Sequence, residues 1–418
     1  MENNYIINDQ DKFLEYKYKI SEFYIIINGK NIEHPIKNIS SFKIENHYEK
    51  ATFPIFKLTI SMSKSRYYDI IKNKDNVKFK LRIQGYSTEN DSTNKSLVKD
   101  LINDLFIFFP EDANDDYEKT YNNNKKSDNN EELDDTDNIF EFFLFQDNIV
   151  NNVRSLYNCV LTNIDMCSTV THLLSRAGAK NVLMSPFDNT DIYDQIIIPP
   201  QSIDKSLKYL NNNYGFHKSG TIIYFGLTNT YVLACNGMCT AYRKNEPKET
   251  VLYILDKSSN TKSLLSSTIK KHNDERNFIN VQSDNIDIVS NSVSSNVIHG
   301  IDAEIINLDN TSNDSVKIDT VTVGNSNKAV IFNDTANKYM KDIYASLQQS
   351  NTITISIGLK DIDIMAFSLN KSFNVIFENV SLNMKYKGRY RIYSSIFIFS
   401  GNEDTFKVSA AITLKKVR

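Results

Sequence analysis

Cys167 and His172 stand five residues apart in a stretch of helical spacing, and a thiol with an imidazole could act as nucleophile and base. Such a pair works only when a third group orients the imidazole and the nucleophile is held toward substrate. No orienting carboxylate or nucleophile elbow accompanies these two, so a satisfied histidine near the surface of its module is expected. Cys235 and Cys239 are separated by three residues with no His-rich partner nearby, which reads as buried or idle thiols in preference to a zinc site. Cys159 completes the four cysteines, and a disulfide framework is not expected in a long chain of this kind. His34, His47, His217, His272 and His299 are scattered singly. The chain has no Walker loop, no dinucleotide fingerprint, no H-E-x-x-H and no G-x-S-x-G. Carboxylate pairs for glycoside cleavage stay open, because spacing in sequence does not report spacing in space. No catalytic, cofactor-binding or metal-binding residue is assigned.

Two charged features need a reading. Residues 111–137 hold eleven carboxylates and three lysines, which gives this segment −8 within a chain of net charge −3. Almost without aliphatic side chains, it cannot repay the entropy of ordering and reads as a solvated insertion in a surface loop. A calcium loop would need D-x-D-x-D-G spacing, and the segment has no glycine. Lys385, Lys387, Arg389 and Arg391 occupy alternate positions, which predicts one solvated strand face, or else an interface with an acidic partner.

These side chains must be positioned by a chain of 418 residues, enough for roughly two to four domains. The net charge of −3 predicts no general affinity for nucleic acid or anionic membrane. No apolar run reaches the ~18 residues of a transmembrane candidate. The start, MENNYIINDQDKF, lacks the basic and apolar regions of a signal peptide, so a soluble protein made in a cytoplasm is expected.

The alternation of apolar residues organises the rest. Residues 1–15 read as a loose polar arm, 18–27 as a strand, and Asn28-Gly29 as a hairpin turn. Strands follow at 53–62 and 77–86, separated by a short helix with Ser65 as cap, and 139–145 resumes the pattern beyond the acidic insertion. In the middle, Ser168 is expected to cap a helix with Val170, Leu173, Leu174 and Ala177 inward. Ser202 is expected to cap a second, ended by Gly215. Strands at 222–224, 231–234 and 250–255 complete a small α+β module. Residues 257–275 read as a linker and 336–347 as a helix. The chain closes in a meander: a strand at 372–377, a run in which Tyr390, Ile392, Ile396 and Ile398 alternate inward, a turn at 400–404, and a last strand with Phe406, Val408, Ala410, Ile412 and Leu414 inward. The predicted fold is mainly β with an α+β insert: domain 1–154 with its acidic insertion, domain 155–256, linker 257–275 and domain 276–418. Many edges in each outer domain favour closure into a barrel.

The closing segment LNMKYKGRYRIYSSIFIFSGNEDTFKVSAAITLKK resembles the last hairpin of baseplate hub proteins of contractile-tailed phages. There a glycine precedes an aromatic-Arg-apolar strand, here Gly388, Tyr390, Arg391 and Ile392. IIIPPQSIDKSLKYLNNNYGFHKSGTIIYF is similar to that family's central helix, which follows a proline pair and ends at an aromatic-Gly-aromatic step, here Tyr214, Gly215 and Phe216. The opening YKISEFYIIINGKNIEHPIKNISSFKI suits its first barrel. The acidic insertion departs from the compact pattern and leaves the edge of the first barrel open.

The resemblance implies two tail-tube-like β-barrels flanking the α+β domain, and a homotrimer whose six barrels make a pseudo-sixfold ring. Such a ring matches a tail tube protein ring on one side and a trimeric spike on the other, with other baseplate proteins around it. It implies no catalysis, no cofactor, no specific nucleic acid binding and no membrane insertion. The expected place is the tail baseplate of a virion, assembled in the bacterial host cytoplasm. No β-helical extension follows the last strand, so the central spike is expected to be a separate polypeptide. Two rivals stand beside this reading. One is the hub of a contractile bacteriocin or injection device, and the other a strand-rich glycan-binding or cell-wall-degrading tail protein.

Overall fold

The computed structural model describes residues 12–89, 98–109, 137–179, 181–218, 220–235, 249–256, 266–270, 276–282, 286–292, 303–307, 321–322, 328–332, 351–401 and 405–417. The chain is mostly β with a few helices. Strand β1 (Lys12–Ile27) turns through Asn28 and Gly29, at φ 49° and 77°, into β2 (Lys30–Glu33), with Ile27 opposite Lys30. Two left-handed residues give the turn the twist that a two-residue hairpin needs. The first four residues of β1 belong to the stretch expected as a loose arm, yet 12–14 pair with a strand far along the chain. Then come β3 (Ile39–His47), β4 (Ile55–Ser63), helix α1 (Lys64–Lys72), β5 (Val77–Glu89), β6 (Val98–Phe109), β7 (Asp137–Gln146) and α2 (Asp147–Arg154). Phe56, Leu58, Ile60 and Met62 on β4 and Val77, Phe79, Leu81 and Ile83 on β5 are all buried, as their alternation predicts. The cap of α1 is Ser63, whose hydroxyl accepts from the Arg66 N–H, and not Ser65.

The middle of the chain contains β8 (Leu156–Asp165), α3 (Met166–Arg176), β9 (Val182–Met184), β10 (Ile192–Ser202), α4 (Ile203–Tyr214), β11 (Thr221–Phe225) and β12 (Thr230–Ala234). Val170, Leu173, Leu174, Leu207, Leu210, Phe216 and Val232 build its own core. Helix α3 is capped by Asp165, not Ser168: the Asp165 carboxylate accepts from the Ser168 N–H at 2.8 Å and its hydroxyl at 2.7 Å. These donors hold the carboxyl below its ordinary pKa. Ser202 stands at the start of α4, but its side chain makes no capping bond.

The last part holds β13 (Glu249–Leu255), β14 (Ser266–Lys270), β15 (Arg276–Gln282), β16 (Ile286–Ser292), β17 (Ala303–Asn307), β18 (Val321–Thr322), β19 (Lys328–Phe332), β20 (Asn351–Lys360), β21 (Ser372–Phe377), α5 (Val380–Tyr386), β22 (Gly388–Ser400) and β23 (Lys407–Lys416). Two expectations are corrected here. Residues 250–255 do not complete the middle module: β13 runs parallel between β15 and β21. The stretch read as a linker contains β14, which pairs with both β1 and β15. Helix α5 has no counterpart in the sequence-based expectation. The expected helix at 336–347 and the acidic insertion, apart from Asp137, lie outside the described residues.

Both outer parts belong to one 15-stranded sheet. Its pairings form a closed path, from β3 through β4, β7, β6, β5, β1, β14, β15, β13 and β21 to β22, and from β22 back to β3. Strand β22 makes this closure possible by dividing one edge. Residues 388–391 pair with β21 and residues 394–400 with β3, while β23 occupies the opposite edge. On β23, Val408, Ala410, Ile412 and Leu414 are buried, as is Phe406 just before it, matching the predicted phase. On β22 the phase changes midway. The register shifts between Ile392 and Ser394, so Tyr390 and Ile392 are followed inward by Ser395, Phe397 and Phe399. The expected inward residues Ile396 and Ile398 therefore point out, with Ile398 39% exposed.

Candidate functional site at the closing hairpin

Among the described residues, those singled out for chemistry do not assemble. His172 Nε2 lies 2.7 Å from the Tyr157 hydroxyl, so its partner is a phenol and not Cys167. Cys167 is exposed, and desolvation together with the Asp165 carboxylate raises its thiol pKa, away from the thiolate a nucleophile needs. Burial pushes the Cys235 thiol up to about 11. His217 is buried between the Thr221 hydroxyl at 2.9 Å and the Ser185 hydroxyl at 3.3 Å, and burial lowers its pKa. Among the described residues no group of three or more His, Cys, Asp or Glu could hold a metal ion, and no helix is long and apolar enough to cross a membrane. Cys239, His272 and His299 lie outside the described residues.

The aromatic-Gly-aromatic step is a corner. Gly215 ends α4 at φ 70°, a left-handed conformation that glycine adopts without a Cβ clash. The Asn189 amide donates to the Tyr214 and Gly215 carbonyls, both at 2.9 Å. The Phe216 carbonyl accepts from the Asp188 N–H at 2.9 Å. Tyr214 meets Tyr193 edge-on at 4.9 Å, and Phe216 stacks on Phe187 at 5.2 Å. These contacts fix the direction in which the chain leaves α4 for β11.

The second group opens β22. Gly388 has φ 147°, and a Cβ there would stand 3.1 Å from Lys416 Cε. Tyr390 is buried and donates its hydroxyl to the Tyr386 carbonyl at 2.6 Å, while Ile392 lies opposite Leu414. Arg391 does not share a solvated face with the other cations: its guanidinium is turned onto the Glu49 carboxylate, which Lys415 approaches at 3.8 Å. Lys385 belongs to α5, Lys387 caps it, and Arg389 is exposed.

Beyond the phase change the hairpin meets both other parts of the chain. Asn46 on β3 donates its amide to the Ser395 hydroxyl at 3.0 Å and accepts from the Tyr224 hydroxyl of β11 at 2.8 Å. The Tyr48 hydroxyl reaches Ser395 at 3.4 Å, and its ring meets that of Tyr224 at 4.7 Å. All four side chains are buried, so leaving one of these groups unpaired would cost about 1–3 kcal/mol. On the far side, Tyr18 bridges to Phe406, and its ring meets Phe399 at 5.1 Å. Burial, and then the charge of Asp363, push the Tyr18 phenol well above its ordinary pKa and keep it a donor, to the Ile362 carbonyl at 2.9 Å. This junction has no nucleophile, base or oxyanion donors converging on a reacting atom; it holds three segments in fixed relation. Sequence reasoning did not find it, because Asn46, Tyr48, Tyr224 and Ser395 are neutral residues far apart in the chain with no spacing that links them.

The fold and junction define a mostly β protein whose two ends are woven into one sheet around a small α+β insert. A family model matches residues 9–417, and the chain belongs to the family of the Bacteriophage PBS1 gene 109 protein. Among solved structures it is similar to the 43 kDa tail protein of prophage MuSo2 from Shewanella oneidensis, at 11% identity over 95% of this chain and 98% of that one, TM-score 0.44. It is also similar to the tail protein from Neisseria meningitidis MC58, at 10% identity over 96% and 97%, TM-score 0.42. The E. coli c3393 protein, a component of the type VI secretion system, is similar at 8% identity over 93% and 76%, TM-score 0.39. A search of curated proteins gives no match.

Proposed function

We propose that the chain is the structural hub of a phage tail baseplate. Three copies form a ring that joins the tail tube ring to the central spike, with other baseplate proteins around it and no catalysis. Membership of a phage protein family over residues 9–417 carries the reading. The order of hub-like segments at the start, middle and end of the chain supports it. So does the junction, which ties β1, β3, β11 and the closing hairpin together through buried side-chain and main-chain hydrogen bonds. In this reading the strands of 1–154 and those from β13 onward supply the two barrels of each copy, the segment from β8 to β12 is the α+β domain, and the closing hairpin braces one barrel against the other. A hub of this kind works by shape: six barrels from three chains present a near-sixfold face to the tube and a threefold face to the spike. It would sit in the virion tail, having assembled in the host cytoplasm. Negative-stain images of the purified chain with its tail partners test this. Threefold rings are expected, and cleavage of cell-wall sugars or peptides by a chain that forms no rings would replace the reading with the enzymatic one.

A further inference from the structure

We propose that the second half of β22 has two registers, one residue apart, and that the extra residue at Tyr393 stores the step between them. The residues of this half come in like pairs: Ser394 and Ser395, Ile396 and Phe397, Ile398 and Phe399. In the structure the second member of each pair faces inward, with Ser395 on Asn46, Phe397 opposite Ile44 and Phe399 opposite Phe42. Partner strand β23 alternates without interruption, so the irregularity belongs to β22 alone: Ile392 lies opposite Leu414, and Ser394, two residues on, lies opposite Thr413. Absorbing the extra residue would set Ser394 opposite Ile412, Ile396 opposite Ala410 and Ile398 opposite Val408. Each inward position would keep its chemistry, a hydroxyl followed by two large apolar groups. A one-residue slip normally exposes a strand's whole apolar face, which is why register is usually unique. Here the pairs remove that penalty.

The outward face shows the same ambiguity. Ile396 and Ile398 lie opposite Glu45 and Lys43, which are ion-paired to each other at 2.6 Å on the outer side of the sheet. Two isoleucines on that face are unexplained by the present register and explained by the other. What favours the present one is shape: the Phe399 ring meets Tyr18 at 5.1 Å and Phe42 at 5.6 Å, contacts that an isoleucine would not fill. The slipping segment is the one paired with β3, while 388–391, paired with β21, lies before the stored residue. The slip would carry 394–400 past β3 and β23 alike by about one residue, roughly 3.4 Å, with those two strands keeping their places.

The test is a pair of backgrounds. Phe397→Thr with Phe399→Thr makes the present inward face polar, and the intact chain should escape by slipping and remain folded. The same double substitution in a chain lacking Tyr393 has no stored residue to use and should not fold, although deletion of Tyr393 alone should. Ile398→Cys, alkylated and read by peptide mass, reports the phase: the new thiol is labelled in the parent, and protected at least tenfold when Phe397 and Phe399 are replaced by threonine. Loss of folding in both backgrounds, folding in both, or equal labelling of the Ile398→Cys thiol with and without the two threonine substitutions would each overturn the proposal.

Discussion

Tyr18 and Phe406, near opposite ends of the chain, exchange both main-chain hydrogen bonds, at 3.1 and 2.7 Å. The bridge lies beyond the end of β20, so one edge of β23 serves β20 first and β1 afterwards. With β22 dividing its own edge between β21 and β3, the closing hairpin touches every large part of the sheet.

Tyr18→Phe keeps the ring against Phe399 but removes the hydroxyl that donates to the Ile362 carbonyl and accepts from the Ile364 N–H at 3.0 Å. Two buried main-chain groups lose their partner, so a loss of about 1–3 kcal/mol is expected in urea unfolding. An unchanged midpoint would mean that water replaces the hydroxyl.

The last strand gives a paired prediction. Ile412 is fully buried, so Ile412→Asp places an unpaired charge in the core and should cost several kcal/mol, on the order of 3–5. Thr413, its half-buried neighbour on the other face, reaches Ser356 at 3.4 Å, and Thr413→Asp should cost at most about 1 kcal/mol. Circular dichroism separates the two. A Thr413→Asp chain that folds and fails to form rings would place that face in the contact between copies.

His217 supplies a pH dependence. Burial lowers its pKa from the ordinary 6.5, against smaller opposing effects of the Ser185 and Pro186 main chain and of Asp188. The unfolded chain therefore takes up a proton at a higher pH than the folded one. Its contribution is present above about pH 6.5 and falls as pH drops through the folded value. His217→Gln should flatten the stability profile below about pH 6.5, and a profile that keeps its slope would assign the dependence to other groups.

Replacing 111–137 with a short Gly/Ser loop should leave the melting temperature and assembly nearly unchanged, because the segment has little apolar surface to bury. Collapse of the fold on that replacement would give the segment a structural role.

Strand positions were legible where only one face is apolar, as on β4, β5 and β23. The phase of β22 was not, because 396–399 is apolar on both faces, serines precede it at both 394 and 395, and one extra residue decides between the two phases. The destination of β13 was hidden for a related reason: Val251, Leu252, Ile254 and Leu255 fit any buried strand, and their composition does not name β15 and β21 as neighbours. Two caps were misplaced because Ser63 and Asp165 each stand within three residues of another serine, and only geometry shows which oxygen faces the free N–H groups. Gly215 was readable as the end of α4, whereas the turn of Arg391 onto Glu49 depends on a loop far away in the chain.

Native mass spectrometry of the purified chain, alone and with tube and spike partners, tests the hub assignment most directly. The account predicts a mass of three copies, alone or with the spike. A chain that remains a monomer at every concentration, with every tail partner present, would contradict it.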